Sequence, residues 1–234
     1  MKNIVVLTGA GISSESGIKT FRDFNGLWEN HRIEDVASPE GFYRNPQMVY
    51  EFYNLRRRQL KDPNLKPNAA HLALKKLEEH FSNQFLLVTQ NVDNLHDRTG
   101  HKNILHMHGE LQKVRCLNNQ NVYEWPDDLT GQSLCPDCNK AGLLRPHIVW
   151  FGEIPFYMDQ IYDALSECDI FISIGTSGHV YPAAGFVAQV PTSCLKIEIN
   201  NQETNISESF DKHYVGLAST EVPKVVEMIL AGKI

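Results

Sequence analysis

Two of the ten histidines, His106 and His108, lie together in the segment HMHGE. An imidazole titrates near pH 6.5, so a histidine can accept and return a proton at neutral pH. Most histidines are ordinary surface or core residues, and residue type alone does not select one of this pair. The segment resembles a strand, which would place both side chains on one face if it is regular. Residue type and spacing therefore make both side chains candidates for a general base, beside the ordinary structural interpretation.

A glycine-containing loop, TGAGISSESG (residues 8–17), follows a short apolar run. Gly9 and Gly11 allow a tight turn in which backbone N–H groups can approach a pyrophosphate. The dinucleotide-binding fingerprint needs a third glycine three residues after Gly11, and that position holds Ser14. The loop alone therefore fits either a nucleotide site or an ordinary glycine turn before a helix.

Three of the five cysteines, Cys116, Cys135 and Cys138, lie close together in sequence, and the last two form a CxxC knuckle. An odd cysteine count argues against a disulfide framework, and the cluster suggests a metal site. The other two, Cys168 and Cys194, stand beside strand-like runs. We interpret them as core residues.

Polar side chains stand at the ends of several apolar runs. Asn91 and Asp93 follow FLLVTQ, Thr176 and Ser177 follow DIFISIG, and Asn200 ends LKIEIN. Open α/β sheets bind ligands outside the carboxyl ends of their strands. These side chains are therefore candidates for ligand binding, although Asn and Asp also cap strand ends in general.

The elements that must position these residues alternate along the chain. Short runs rich in large or β-branched apolar residues predict buried parallel strands at 4–9, 85–91, 169–175 and 195–200. Helices are predicted at 47–60, at 68–81 with Asn68 as N-cap, and at 222–232 closed by Gly232. This alternation indicates an α/β fold with a doubly wound parallel sheet. Residues 33–67 and 113–144 interrupt it as insertions.

The overall composition limits the possible functions. The 234 residues carry a net charge of −6, and the pI is near 5.9. An acidic chain is not expected to bind nucleic acid. The longest apolar runs are too short for a transmembrane helix, and the N-terminal run is too short for a signal peptide. We expect a cytoplasmic monomer without membrane contact.

Several longer blocks in this order resemble the signatures of the sirtuin family, across nearly the whole chain. They are GAGISSESGIKTFR, TQNVDNLHDRTG, HMHGE, RPHIVWFGE, GTSGHVYPA and EIN. The resemblance implies a discontinuous Rossmann-like domain (1–32, 75–112 and 145–234), a helical module (33–74) and a small zinc-ribbon-like module (113–144).

Sirtuins are NAD-dependent protein-lysine deacylases, and the resemblance implies the same chemistry here. Nicotinamide leaves the ribose, the acyl oxygen attacks the anomeric carbon, and a base assists transfer of the acyl group to ADP-ribose. Acylated lysine side chains of proteins would be the substrates and NAD the co-substrate. The HGE match selects His108 rather than His106 as the base.

Site residues follow from the matched motifs. Asn91 joins His108 as a catalytic residue, and Asp93 would meet the nicotinamide carboxamide, with the N–H of Ile18 or Val92 serving its carbonyl. Val149, Phe151, Gly152 and Glu153 would bind the substrate peptide by strand addition. The implied NAD-binding residues are Gly9, Ala10, Gly11, Ile12, Ser16, Gly17, Ile18, Phe21, Arg22, Trp28, Gln90, Asn91, Val92, Asp93, Gly175, Thr176, Ser177, Asn200 and Ala218.

A run of three arginines, residues 56–58, lies in the predicted helix 47–60. Residues three apart share a helix face, so Tyr53 and Arg56 can point into one cleft. The pair resembles the Tyr-x-x-Arg motif of the sirtuin branch that removes succinyl and malonyl groups, where a guanidinium and a phenol grip the acyl carboxylate. We expect deacetylase activity as well, and we expect Arg57 and Arg58 to face solvent.

The zinc pattern of the family is incomplete in this chain. The partner of Cys116 in a second CxxC would be residue 119, which is Asn119. Structural zinc takes four ligands, usually Cys or His. Either Asp or an exogenous ligand completes the site around Cys116, Cys135 and Cys138, or metal binds weakly or not at all.

Three rival interpretations stay open to test. The same NAD site could support ADP-ribosyl transfer or NAD hydrolysis. A nucleic-acid-binding zinc protein would use the arginines and cysteines, but the acidic balance weakens it. A dehydrogenase is disfavoured by the glycine spacing.

Overall fold

The computed structural model describes residues 2–19, 27–28 and 31–234, with residues 27–28 described as backbone only. The strands are β1 Ile4–Thr8, β2 Leu27–Trp28, β3 His31–Arg32, β4 Phe85–Thr89, β5 Ile104–His106, β6 Gly109–Cys116, β7 Val122–Glu124, β8 Leu144–Ile148, β9 Ile170–Ile174, β10 Leu195–Asn200 and β11 Lys212–Val215. The helices are α1 Gly11–Ser14, α2 Ile33–Val36, α3 Pro39–Arg44, α4 Pro46–Gln59, α5 Ala69–Phe81, α6 Leu95–Arg98, α7 Met158–Ser166 and α8 Ala218–Leu230. Short 3₁₀ helices cover Ser82–Gln84, Ala183–Ala188 and Ser207–Ser209.

Six strands form one sheet in the order β11-β10-β9-β1-β4-β5, and every neighbouring pair is parallel. All five residues of β1 and of β9 are buried, as expected for strands covered on both faces. The predicted doubly wound α/β fold is confirmed. Since the chain leaves β1 toward β4 and later returns beside it as β9, a crevice opens at the carboxyl end of β1.

Alternate residues of each strand enter two different cores. Ile4 and Val6 pack with helices α5 and α8 on one face. Val5 and Leu7 pack with α7 and the 183–188 helix on the other. The period-2 alternation of side chains thus fastens helices to both faces of the sheet.

A third core joins the two insertions. Helices α2–α4 and the sheet β7-β6-β8 contribute to one buried cluster that includes Phe52, Leu129 and Trp150. Helix α5 packs instead on the large sheet, through Ala70, Leu74 and Leu77. The predicted module boundary after residue 74 therefore falls inside this helix.

The start of α5 connects a helix cap to the glycine loop. Asn68 accepts from the N–H of Ala70 at 2.9 Å, which confirms it as the N-cap. Its Nδ2 also donates to the carbonyl of Ile12 at 2.8 Å. Helix α8 begins at Ala218, four residues earlier than predicted, because Glu15 of the glycine loop accepts from the N–H of Ser219 at 3.0 Å. A cap supplied from another element leaves no local sequence signal.

The prediction that Arg57 faces solvent is wrong. Its side chain is 1% exposed, and it donates to Leu111 O at 2.9 Å and to Asn54 Oδ1 at 2.6 Å. The guanidinium is buried because α4 packs against β6 and the 125–131 segment, whose carbonyls it and Asn54 satisfy. Arg58 does face solvent, where it pairs with Asp128. Within the described residues, no helix is long and apolar enough to cross a membrane.

Three histidines pack ring against ring behind the glycine loop. The ring centroids of His71 and His96 are 4.8 Å apart, and those of His96 and His101 are 5.4 Å apart. Burial lowers the pKa of His71 to about 4 and also lowers the pKa of His96 and His101, with the neighbouring imidazoles adding to the shift of the first two. All three are therefore neutral in the folded protein at pH 7.

We expect the free energy of unfolding to decrease as the pH falls from about 6.5 toward 4. In the unfolded chain these histidines take up protons near pH 6.5, whereas in the folded chain they do so only at lower pH. Each unit of this pKa difference lowers the free energy of unfolding by about 1.4 kcal/mol once the pH is below both values. Thermal unfolding between pH 7.5 and 5 measures the slope. His71→Gln should reduce the slope, and His80→Gln, at the exposed end of α5, should not. Equal slopes in all three proteins would contradict the assignment.

Candidate functional site

A cavity of about 1180 Å³ opens where β1, β4, β9 and β10 end. It extends from the glycine loop past Asn91 and His108 to the third core, where Tyr53 and Arg56 line it. Residues predicted from distant parts of the chain therefore share one cavity. Of the predicted residues, its lining includes Gly9, Ala10, Gly11, Ile18, Tyr53, Arg56, Gln90, Asn91, Val92, Asp93, His108, Val149, Phe151, Gly152, Glu153, Gly175, Thr176, Ser177, Asn200 and Ala218.

Gly9 and Gly11 of the loop pack closely against Gly175. A Cβ on Gly9 would lie 2.8 Å from Gly175 O, and one on Gly11 would lie 2.6 Å from Gly175 Cα. The N–H groups of Gly9 and Gly11 donate to Ile174 O and Gly175 O, both at 2.9 Å. These two N–H groups are thus engaged within the protein, and the approach of a pyrophosphate to the loop stays a prediction.

Asn91 is anchored by its amide nitrogen. Nδ2 donates to Gly9 O at 3.1 Å and to Ser13 Oγ at 3.2 Å. The residue is 7% exposed and lines the cavity. With Nδ2 bound to the loop, Oδ1 is the atom that the side chain can offer to a ligand.

Asp93 lies beside Asn91, also 7% exposed. Oδ1 accepts from the N–H of Leu95 at 3.0 Å, and burial raises the carboxyl pKa, against the opposing effect of the bonds from Leu95 and Ser13. The Ile18 N–H already donates to Ser13 O at 3.3 Å. Of the two backbone donors expected beside Asp93, Val92 is therefore the better candidate.

His108 is built to accept a proton through Nε2. Its Nδ1 lies 3.1 Å from Gln90 O, and since a carbonyl can only accept, Nδ1 carries the proton. Burial lowers the pKa of His108, so the ring is neutral at pH 7 and Nε2 has a lone pair. His106 differs: β5 ends there, and its Nε2 lies 3.2 Å from Asp97 Oδ1. The two side chains do not share one regular strand.

The loops after β9 and β10 are tied together. Asn200 Nδ2 donates to Thr176 O at 2.6 Å, and Thr176 Oγ1 lies 3.2 Å from Ser173 Oγ. Asn200 and Thr176 are 8% and 7% exposed at the cavity wall. These two residues therefore hold the loops together and also line the cavity.

The third core supplies a hydroxyl and a cation to the cavity. Tyr53 is fully buried, and its hydroxyl accepts from Trp150 Nε1 at 2.9 Å. Arg56, one helical turn later, donates from Nη1 to Phe52 O at 2.7 Å, with its guanidinium 3.2 Å from the Phe52 ring centroid. Burial raises the pKa of Tyr53, which keeps the phenol protonated at neutral pH.

The segment 149–153 is a loop, since β8 ends at Ile148. Val149 N–H donates to His108 O and Phe151 N–H to Ala37 O, which fixes the loop at the cavity mouth. Arg145 binds both carboxylate oxygens of Glu153, at 2.7 and 2.9 Å. The Glu153 charge is thereby neutralised within the protein.

Some predicted residues do not meet the cavity. Ile12 is fully buried in the core, Ser16 Oγ accepts from Asn68, and Gly17 O accepts from Gln59. None of the three is among the described lining residues. Phe21, Arg22 and the side chain of Trp28 lie outside the described residues.

Sequence reasoning missed other lining residues, including Trp150, residues 201–205 and residues 216–217. The last two ranges follow β10 and β11 directly. Residues 201–205 could have been predicted because they follow a recognisable strand, β10. Residues 216–217 could not, because β11 is half exposed and carries no buried apolar run. Trp150 lies within the segment VWFGE, which the sequence analysis assigned to peptide binding without giving this residue a role.

The cysteine cluster lies apart from the cavity. The Sγ atoms of Cys116, Cys135 and Cys138 all lie within 4.8 Å of one another, and those of Cys116 and Cys138 are 3.9 Å apart. Thiolates on tetrahedral zinc at about 2.3 Å lie roughly 3.8 Å apart, so the three fit the ion. Asn119 Nδ2 lies 3.9 Å from Cys135 Sγ, where a fourth thiolate would be needed.

Comparisons with known proteins agree with this geometry. The model of the Sir2 family matches residues 9–182. A protein of Bdellovibrio bacteriovorus named NAD-dependent protein deacylase is 62% identical over 98% of this chain and 97% of its own. One of the same name from Escherichia coli K12 is 56% identical over 98% of this chain and 82% of its own.

Solved structures are similar over the same length. A Sir2 homologue in complex with NAD is 36% identical, with a TM-score of 0.87 over 98% of this chain and 90% of that chain. A mutant Sir2 homologue in complex with ADP-ribose is 36% identical, with a TM-score of 0.88 over 98% of this chain and 92% of that chain. On sequence and structure together, the chain belongs to the Sir2 family.

Proposed function

We propose that the protein is an NAD-dependent protein-lysine deacylase that prefers acyl groups ending in a carboxylate, such as succinyl and malonyl, and also removes acetyl groups. Relatives at 56–62% identity carry the name NAD-dependent protein deacylase, which supports the reaction. The observation that carries the acyl preference is that Tyr53 and Arg56 line the same cavity as His108. The products are nicotinamide, free lysine and an O-acyl-ADP-ribose.

NAD would lie along the carboxyl ends of the strands. Asn91 Oδ1 meets the nicotinamide ribose, Asp93 meets the carboxamide, and the loops of Thr176 and Asn200 hold the phosphates and the adenosine ribose. Phe21 and Arg22 are assigned to the cofactor loop from the motif alone. Bound NAD supplies an anomeric carbon from which nicotinamide can leave.

His108 acts as the base in this proposal. Its Nδ1–H is held by Gln90 O, so Nε2 is the atom that removes a proton from a ribose hydroxyl. The lowered pKa favours the neutral form, which is the form a base requires. Val149 and Phe151 line the passage for the acyl-lysine chain.

The acyl carboxylate would lie between Tyr53 and Arg56. The pair can supply one phenol O–H and a guanidinium, a combination that suits a carboxylate. Glu153, an acidic group whose charge acts on Tyr53, forms an ion pair with Arg145, which offsets its repulsion of an acidic acyl group. An acetyl group has no charge to offer Arg56, so the preference follows from charge.

Kinetics on matched succinyl-, malonyl- and acetyl-lysine peptides test the proposal. We expect higher kcat/KM for the acidic acyl groups, and Arg56→Met should lower it by about 10- to 100-fold for these alone, since a charged hydrogen bond is worth about 1.5–3 kcal/mol. Arg58→Met, on the exposed face of α4, is the matched control. Mass spectrometry should detect O-acyl-ADP-ribose, and His108→Tyr should abolish it.

Two results would contradict the proposal. Equal or better kcat/KM for acetyl-lysine, unaffected by Arg56→Met, would remove the acyl preference. ADP-ribose attached to protein, without O-acyl-ADP-ribose, would favour ADP-ribosyl transfer over deacylation.

Trp150 should contribute to acyl selectivity through Tyr53. An indole N–H can only donate, so it directs the phenol to donate its own proton to the acyl carboxylate. Trp150→Phe keeps an aromatic ring beneath Arg145 but loses the hydrogen bond to the Tyr53 hydroxyl. We expect roughly a fivefold rise in the KM for succinyl-lysine peptide and little change in the KM for acetyl-lysine peptide. In a Tyr53→Phe background the same change should have no further effect; an equal further rise would contradict the coupling.

The cysteine cluster is proposed to hold one structural zinc ion through Cys116, Cys135 and Cys138. Lacking a fourth thiolate, it should release zinc at lower chelator concentration than an Asn119→Cys variant, as metal analysis after graded chelation measures. Cys138→Ser should lose the metal, and the core substitution Cys168→Ser should not. Absence of zinc from freshly purified, folded protein would overturn this assignment.

A further inference from the structure

A buried chain of hydrogen bonds leads from a histidine to Asn91. His96 Nε2 lies 3.2 Å from Thr8 Oγ1, Thr8 Oγ1 lies 2.9 Å from Thr89 Oγ1, and the Asn91 N–H donates to Thr89 Oγ1 at 3.1 Å. Thr8, Thr89 and His96 are each at most 1% exposed. None of the three is a described lining residue of the cavity, so a ligand there does not touch them.

The two threonines are unusual for their positions. Thr8 and Thr89 end β1 and β4 and are register partners in the sheet. The rest of both strands is apolar, and valine would fill either site with the same shape. A buried hydroxyl is costly unless it is hydrogen-bonded, so these hydroxyls point to a use beyond packing.

Each hydrogen bond of this series has a defined donor and acceptor. Thr8 donates its proton to Thr89, whose oxygen also accepts from Asn91. The Thr8 oxygen then accepts from His96, which places the His96 proton on Nε2. Its Nδ1 has no hydrogen-bond partner among the described residues, as suits a bare lone pair rather than a buried N–H.

The surroundings of His96 preserve this arrangement. The ring centroids of His71 and His101 lie 4.8 and 5.4 Å from the ring centroid of His96. Burial, followed by the charges that His71, His101 and His106 would carry, holds the pKa of His96 well below its ordinary value. A neutral His96 has one proton to donate and keeps donating it to Thr8.

We propose that Thr8, Thr89 and His96 are positioning residues that hold Asn91 with its amide nitrogen in the glycine loop and its Oδ1 toward the nicotinamide ribose. This series of hydrogen bonds fixes the backbone of Asn91 just after the end of β4. The bonds from Nδ2 to Gly9 O and Ser13 Oγ then set the side chain. This inference rests on the proposed function, because it assigns Oδ1 a role at the ribose.

Paired substitutions separate hydrogen bonding from packing. Thr8→Val and Thr89→Val keep the shape and lose the hydroxyl, whereas Thr8→Ser and Thr89→Ser keep the hydroxyl and lose a methyl group. We expect both valine variants to lower kcat roughly tenfold with little change in the KM for acyl peptide, and the serine variants to stay near wild type. If the serine variants are impaired as much as the valine variants, or if the valine variants stay within twofold of wild type, the proposal fails.

A double substitution tests whether the effect passes through Asn91. In an Asn91→Ala background, Thr89→Val should produce no further loss of kcat. A further loss of the same factor would show that Thr89 acts independently of Asn91 and would overturn the proposal.

NMR supplies a readout that needs no catalysis. Hydrogen exchange of the backbone N–H of Asn91 should be faster in Thr89→Val than in wild type and unchanged in Thr89→Ser. Two-bond ¹H–¹⁵N spectra should show the Nε2–H tautomer of His96. Unchanged exchange in Thr89→Val, or the Nδ1–H tautomer, overturns the network. Inactivity of the wild type toward every acyl peptide would instead overturn the proposed function and leave these spectra as expected.

Discussion

The close packing of the glycine loop on the end of β9 is the constraint on which the site depends. Gly9 and Gly11 approach Gly175 so closely that an added Cβ would lie within 3 Å of its backbone atoms. Because the loop lies there, Gly9 O and Ser13 Oγ reach Asn91, and Ile12 O reaches Asn68. One tight backbone contact thereby sets the positions of three strand ends and of helix α5.

The cavity depends equally on the third core, which the two insertions form. Helix α4 is fixed there by buried polar bonds, of which those of Arg57 and Asn54 reach across to the carbonyls of Leu111 and Leu129. Arg145 lies over the Trp150 ring at 3.4 Å and neutralises Glu153. Buried charges are tolerated because each has partners, and these contacts form the wall in which Tyr53 and Arg56 lie.

Much of the large domain was predictable. Strands β1, β4 and β9 are nearly continuous apolar runs bounded by polar residues, and burial on both faces produces that pattern whatever the partner strand. Asn68 was found because an N-cap is a local interaction. Arg57 and the start of α8 were not, because their partners, Leu111 and Glu15, are distant in sequence.

Sequence by itself determined the fold class, the family resemblance and the identity of the groups able to do chemistry, since these depend on residue type and on spacing along the chain. Tertiary structure decided which groups act together and through which atoms. It assigned the lone pair of His108 to Nε2 and engaged the N–H groups of Gly9 and Gly11 in packing. It also gave the three arginines different environments: Arg56 lines the cavity, Arg57 is buried and hydrogen-bonded, and Arg58 forms an exposed ion pair. The direction and the partner of a hydrogen bond depend on where distant segments meet, and no local pattern encodes that meeting.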